Sequence, residues 1–269
     1  MGRRLIGVDV GGTKIAVALL DGTTLLDPVL QATDTSSADA LVQQLVAAVR
    51  AAGDVAAVGV AIPSVVDSES GRIRYSVNIP LQDVPLREVL REQLGVPVFV
   101  DNDATCAALA EAYDDAGTLV ARHLVMFTVG TGVGGGIVID GRVYRGATGG
   151  AAELGHTLVG VDLRRAPFAH AEDFPQPGSL ESLASGTALN QIAVERGLTP
   201  GRVIDAARDG DAGAVAAIEL LGRRLGIGIA NAINTFDPDL VVVGGGVSAA
   251  GELLLEPARE EAVRHLLPG

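Results

Sequence analysis

Apolar positions along the chain switch between two periods, and each switch marks an element. Leu5, Ile6 and Val8 run into Gly11-Gly12, and Ile15 to Leu20 return to Asp21-Gly22, which predicts a buried strand, a tight turn, a second strand and a second turn. From Ala38 to Ala52 the spacing lengthens: Leu41, Leu45, Val46 and Val49 share a helical face, and Gly53 supplies the stop. Val55 to Ile62 predicts a strand ending at Pro63, whereas Ser64 to Asn78 is polar and turn-rich and predicts a loop region. Pro85 opens an amphipathic helix closed by Gly95, and Val96 to Val100 predicts a short buried strand. That strand delivers Asp101-Asn102-Asp103 to a helix over Ala104 to Ala112.

The second half restarts the pattern. Leu124 to Gly141 is 18 residues long, like Leu5 to Gly22, and aligns with it without a gap at an offset of 119 positions. Leu5/Leu124, Val10/Val129, Gly11/Gly130, Asp21/Asp140 and Gly22/Gly141 are identical, so a duplicated β-hairpin lobe is favoured over coincidence between glycine-rich hairpins. Gly146 to His156 reads as a loop, Asp162 to Ser179 as irregular and proline-bearing, and Thr187–Arg196, Pro200–Arg208 and Ala212–Phe236 as helices. Gly222, Gly226 and Gly228 give the last of these faces for close helix packing. Leu240 to Val243 predicts a buried strand running into Gly244-Gly245-Gly246, and Glu252 to Leu267 a final amphipathic helix. The turn at Asp114-Asp115-Ala116-Gly117 divides the chain into lobes 1–116 and 117–269.

Composition narrows the class to a folded α/β protein. With 3% aromatic residues and no tryptophan, the core must be Val, Leu, Ile and Ala. A formal charge of −13 opposes nucleic acid as a partner, and no apolar run is long enough to cross a bilayer or serve as a signal peptide. The lone Cys106 excludes an intramolecular disulfide and a cysteine-cluster zinc site, reads as a core residue, and fits the cytoplasm. His123, His170 and His265 read as surface residues.

Three glycine turns, at Gly11-Gly12, Gly130 to Gly136 and Gly244 to Gly246, each follow an apolar strand, where backbone can approach a nucleotide without side-chain obstruction. Thr13 and Lys14 add a hydroxyl and a charge beside the first. Asp103, at a strand-to-helix junction, is either a helix N-cap or a general base taking a proton from a hydroxyl. Asp9 interrupts an apolar strand and calls for a partner such as Lys14 or a Mg²⁺–phosphate, or else bonds to turn N–H groups. Asn78, Asn102, Glu153, His156 and Glu181 are either ordinary polar residues or hydrogen-bonding groups for a polyhydroxylated ligand.

Together and in this order, GVDVGGTKIAVALLDG, VDNDATCAALAE, TVGTGVGGGIVIDG, ELGH, SLESLASG and VVVGGGVS resemble the ROK family (repressors, open reading frames, kinases), and its glucokinase type in particular. The resemblance implies a duplicated, two-lobed actin-like ATPase (ribonuclease H-like) fold with a cleft between the lobes. It implies phosphorylation of a hexose, glucose first, at the 6-hydroxyl by ATP with Mg²⁺. Asp103 would be the catalytic base, and Asn78, Asn102, Glu153, His156 and Glu181 would hold the sugar. Asp9, Gly11, Gly12, Thr13 and Lys14 would form the first phosphate loop, Thr131 and Gly132 the second, while Gly244, Gly245 and Gly246 would face the adenosine. A homodimer is what the family suggests. Fructose, mannose or an N-acetylhexosamine as substrate, polyphosphate as donor, and a non-catalytic sugar sensor stay open as alternatives.

The sequence departs from the family at two places. The stretch before Glu181, FPQPGSLE, has no cysteine where many relatives carry a zinc loop, so no structural zinc is expected, any Mg²⁺ being carried by ATP near Asp9, and His156 keeps a sugar role alone. After Pro268-Gly269 relatives continue with another strand and helix, so the second lobe is expected to lack them. With only Met1 to Arg4 before the first strand, the winged helix of the repressor branch is not expected.

Overall fold

The structure, a computed structural model, describes residues 4–76, 78–161 and 174–267. His170, Pro167, the rest of the irregular stretch up to residue 173, and the terminal residues 1–3 and 268–269 lie outside the described residues. The chain divides into two compact units, one made of residues 1–118 and 144–151, the other of 119–143 and 152–269.

The first unit is built on β1 (Arg4–Val10) and β2 (Lys14–Asp21), antiparallel and joined at the first glycine turn, with Val10 opposite Ile15. Ile6, Val8 and Val10 point into the core, and period-2 alternation puts Asp9 on the other, exposed face. The short strands β3 (Thr24–Leu25) and β4 (Val29–Ala32) extend the edge beside β2. α1 (Ala38–Ala51) begins where the Ser37 side chain accepts from the Ala40 N–H, and it buries Leu41, Leu45, Val46 and Val49. Each such side chain contributes about 1.5–3 kcal/mol when fully buried. β5 (Ala57–Ile62) adds to β1 in parallel. The expected loop over Ser64 to Asn78 is instead a two-stranded sheet, β6 (Ser64–Asp67) and β7 (Arg72–Ser76), bent by a register shift at Val65/Val66. α2 (Leu86–Leu94) ends at left-handed Gly95, and β8 (Val98–Asn102) lies parallel to β5 and runs straight into α3 (Asp103–Glu111).

The second unit repeats the plan. β9 (Leu124–Val129) and β10 (Val133–Ile139) are antiparallel around the second glycine turn, and β11 (Arg142–Val143) extends β10. A single 3₁₀ turn covers Leu154–His156, and α4 (Leu180–Ala184), α5 (Gly186–Glu195), α6 (Val203–Arg208) and the long α7 (Ala212–Phe236) follow. β12 (Leu240–Gly244) joins β9 in parallel as β5 joins β1, then a 3₁₀ turn over Gly246–Ala250 leads to α8 (Glu252–Arg264). β12 is less buried than its apolar run implies: Leu240 is exposed and Val241 to Val243 are half-buried, because β12 pairs on one side alone among the described residues. Gly222 and Gly226 let α8 approach α7, since a Cβ would fall 2.4 Å from the Leu254 carbonyl and 2.5 Å from that of Ala258. No helix among the described residues is long and apolar enough to cross a membrane.

Candidate functional site

In the first unit the glycine turn is a row of donors. Gly11 N–H donates to the Lys14 carbonyl (2.9 Å), Thr33 N–H to the Thr13 carbonyl (3.1 Å) and the Thr33 hydroxyl to the Gly11 carbonyl (2.7 Å). The N–H groups of Gly12 and Thr13 have no acceptor among the described residues, so the turn offers them outward, as an anion requires. Asn78 lies against this turn: a Cβ on Gly12 would stand 3.1 Å from the Asn78 Cβ.

At the end of β8 the roles differ from the N-cap alternative for Asp103. Asn102 is the cap, its side-chain oxygen accepting from Thr105 N–H at 3.1 Å. That frees Asp103 from capping; its Oδ1 accepts from Ala104 N–H at 2.8 Å. Burial raises the pKa of Asp103 above its usual 3.8, against hydrogen bonds from Ala104, its own N–H and Asn102. Asp9 is raised as well, first by protein packed around its carboxyl despite its exposed face, then by the charge of Asp103, with Lys14 opposing. Arg145 clamps the neighbouring Asp101, donating to Oδ2 from Nη2 (2.6 Å) and Nε (2.9 Å). Cys106 is partly buried, and burial, aided by Asp101 and Asp103, pushes its thiol up to about 12, which keeps it unreactive at neutral pH.

In the second unit the turn at Gly130–Gly132 opens on a pocket of about 440 Å³, a size suited to a nucleoside. Thr131, Thr187 and Asn190 are among its polar lining residues, Leu189, Val203, Ile204 and Val247 supply apolar walls, and Asn190 accepts from Gly201 N–H at 2.7 Å. Gly246 lines this pocket, and Gly244 and Gly245 lie close against β9, where a Cβ would meet Met126 Cε at 2.8 Å and the Val129 carbonyl at 2.5 Å. Glu153 and His156 face each other at 3.7 Å, and the His156 ring meets Phe174 edge-on at 5.0 Å. His156 Nδ1 is buried without a hydrogen-bond partner among the described residues. Glu181 accepts from Val133 N–H at 2.8 Å. Among the described residues no group of three or more His, Cys, Asp or Glu side chains is gathered as a metal ion requires.

Sequence reasoning missed Arg145, Thr187, Asn190, Val203 and Ile204. Arg145 meets Asp101 across 44 positions, which no local pattern reveals. The pocket walls come from the apolar faces of α5 and α6, whose periodicity looks like ordinary core. The one local signal was Gly186-Thr187 directly after Ser185, a glycine at a helix start.

The ROK family model matches residues 5–268. A glucokinase of Halalkalibacterium halodurans is 35% identical over 300 residues, covering 99% of this chain and 87% of that protein. A xylose repressor of Caldicellulosiruptor bescii is 34% identical over 219 residues, covering 76% of this chain and 53% of the repressor. The crystal structure of a ROK family glucokinase from Streptomyces griseus in complex with glucose and AMPPNP aligns with a TM-score of 0.81 at 34% identity, covering 99% of this chain and 90% of that one. The repeated sheets are thus those of the actin-like ATPase fold.

Proposed function

Because the chain belongs to the ROK family, we propose that it is a sugar kinase that transfers the γ-phosphoryl group of ATP to the 6-hydroxyl of a hexose, glucose first. One observation carries the reading: Asp103 is a carboxylate released from capping at the strand-to-helix junction, and burial raises its pKa, the direction that strengthens a general base. The sugar oxygen attacks the γ-phosphorus as its proton passes to Asp103, and the bond to the ADP oxygen breaks with its electron pair going to ADP. Asn78, Asn102, Glu153, His156 and Glu181 hold sugar hydroxyls. The open N–H groups of Gly12 and Thr13 bind phosphate oxygens together with Asp9, Gly11 and Lys14, as do Thr131 and Gly132, and Gly246 borders the base. Asp9, pushed up first by burial and then by the charge of Asp103 with Lys14 opposing, would be steadied as a carboxylate by a Mg²⁺ ion carried on the nucleotide. Mg²⁺ would neutralise charge on the phosphates. The lone unreactive thiol and the use of ATP fit the cytoplasm.

The test is ADP release with glucose, mannose, fructose and N-acetylmannosamine, on wild type and Asp103→Asn. Glucose should give the highest kcat/KM, and Asp103→Asn should lower kcat by about 10²–10⁴-fold while still binding ADP. A second reading, a sugar sensor without turnover, draws on the repressor relative; it takes over if sugars bind by calorimetry and none stimulates ADP release. Full activity in Asp103→Asn overturns the mechanism.

A further inference from the structure

Glu181 faces the second glycine turn, and its geometry there is more than a sugar contact requires. The helix that carries it is firmly seated. The buried Ser179 caps α4 by accepting from Ser182 N–H, and Leu180 N–H donates to the Thr157 carbonyl at 2.9 Å. The fully buried Leu180 fills the space that Gly228 of α7 leaves, where a Cβ would fall 2.6 Å from Leu180 Cδ2. From this base Glu181 Oε2 accepts from Val133 N–H at 2.8 Å and lies so close to Gly132 that a Cβ there would fall 2.3 Å from it.

The other side of the turn is held from α5. Gly186 N–H donates to the Gly130 carbonyl (2.8 Å), the Thr187 hydroxyl to the Thr131 carbonyl (2.8 Å), and Gly130 N–H closes the turn on the Gly132 carbonyl (2.9 Å). All three carbonyls and the Val133 N–H are therefore engaged. The N–H groups of Thr131 and Gly132 remain, with no acceptor among the described residues. A carboxylate beside an anion-binding turn opposes the anion by charge, so its value there must come from fixing the backbone.

We propose that Glu181 is a positioning residue for the nucleotide: its carboxylate pins Val133 N–H and so holds the Thr131 and Gly132 donors in register for a phosphate. The inference rests on the kinase reading, and it gives Glu181 a duty in the nucleotide site independent of any sugar. It also accounts for glycine at position 132, since a methyl group there displaces the carboxylate.

ADP binding measured by calorimetry with no sugar present tests it. Loss of one well-aligned, charge-assisted hydrogen bond predicts about tenfold weaker ADP binding in Glu181→Ala. Glu181→Gln keeps an acceptor oxygen and should stay within about twofold of wild type. Gly132→Ala should weaken ADP binding as Glu181→Ala does, and should cost nothing further in the Glu181→Ala background, because the group it displaces is already gone. Equal ADP affinity in wild type and Glu181→Ala overturns the inference while leaving the kinase reading intact, and tighter binding in both Glu181 variants shows charge repulsion in place of positioning. Wild type that binds no ADP overturns the kinase reading and this inference together.

Discussion

At the scale of single residues, Asp103 sets its proposed role as a base against stability. Its pKa in the folded chain lies above the ordinary value of 3.8, so between those two values the native state binds more protons than the unfolded state. The favourable contribution is complete below the unfolded pKa and is lost as pH rises through the folded one. At pH 7 the ionised carboxylate therefore destabilises the fold. Asparagine keeps an oxygen to accept from Ala104 N–H and carries no charge to desolvate. Asp103→Asn should melt higher than wild type at pH 7, with the gap closing near pH 3.5; paired thermal melts at the two pH values measure this. A lower melting temperature at pH 7 would show that the charge is compensated in a way the hydrogen bonds do not reveal. The sequence marked Asp103 out but left capping and catalysis as alternatives, because both need a carboxylate at a strand-to-helix junction. What separates them is the neighbour: Asn102 takes the cap, worth about 1 kcal/mol, through a bond to Thr105 that requires the backbone to be extended at residue 102.

Whole elements were legible where one period ran long enough. α1 and both glycine hairpins follow directly from apolar spacing bounded by Ser37, Gly53, Asp21-Gly22 and Asp140-Gly141. β6 and β7 were missed because four and five residues are too few to establish alternation, and Ser70-Gly71 between them looks like any loop. The hold of Glu181 on Val133 spans 48 positions and exists only once α4 is seated. Helix packing was legible through glycine: α7 carries Gly222 and Gly226 on the face that meets α8. A methyl group at Gly226 would stand 2.5 Å from the Ala258 carbonyl and 2.9 Å from Glu261 Cβ, so α8 must move or its carbonyl must give. Overpacking of that kind costs about 1–3 kcal/mol, set against roughly 1 kcal/mol gained from helix propensity. Gly226→Ala should therefore lose up to about 2 kcal/mol of stability in urea unfolding, and a variant more stable than wild type would mean that the helices are not in contact there.

Across the whole molecule, the repeat distributes one design over two units and specialises each. Each unit lays two antiparallel strands around a glycine turn and adds a parallel strand to the first of them. Beyond that the first unit adds β8 and with it Asn102 and Asp103, whereas the second puts its chain into the helices that wall a pocket. If this pocket takes the nucleotide as proposed, it attracts an anion inside a protein of net charge −13 with no charged side chain in its lining. Apart from Lys14 beside the first turn, attraction then comes from the backbone donors of the glycine turns, which act over a few ångströms, against a repulsive field that reaches as far as the solution allows. Salt separates the two. Raising ionic strength from 20 to 200 mM shortens the screening length from about 20 Å to about 7 Å, which weakens the distant repulsion and leaves the hydrogen bonds nearly untouched. ADP, titrated by calorimetry without Mg²⁺, should bind as tightly or up to about threefold more tightly at the higher salt. A site built from a basic patch behaves in the opposite way, losing affinity steeply with salt. A tenfold weakening would show that cationic side chains such as Lys14 outweigh the glycine turns in holding the nucleotide.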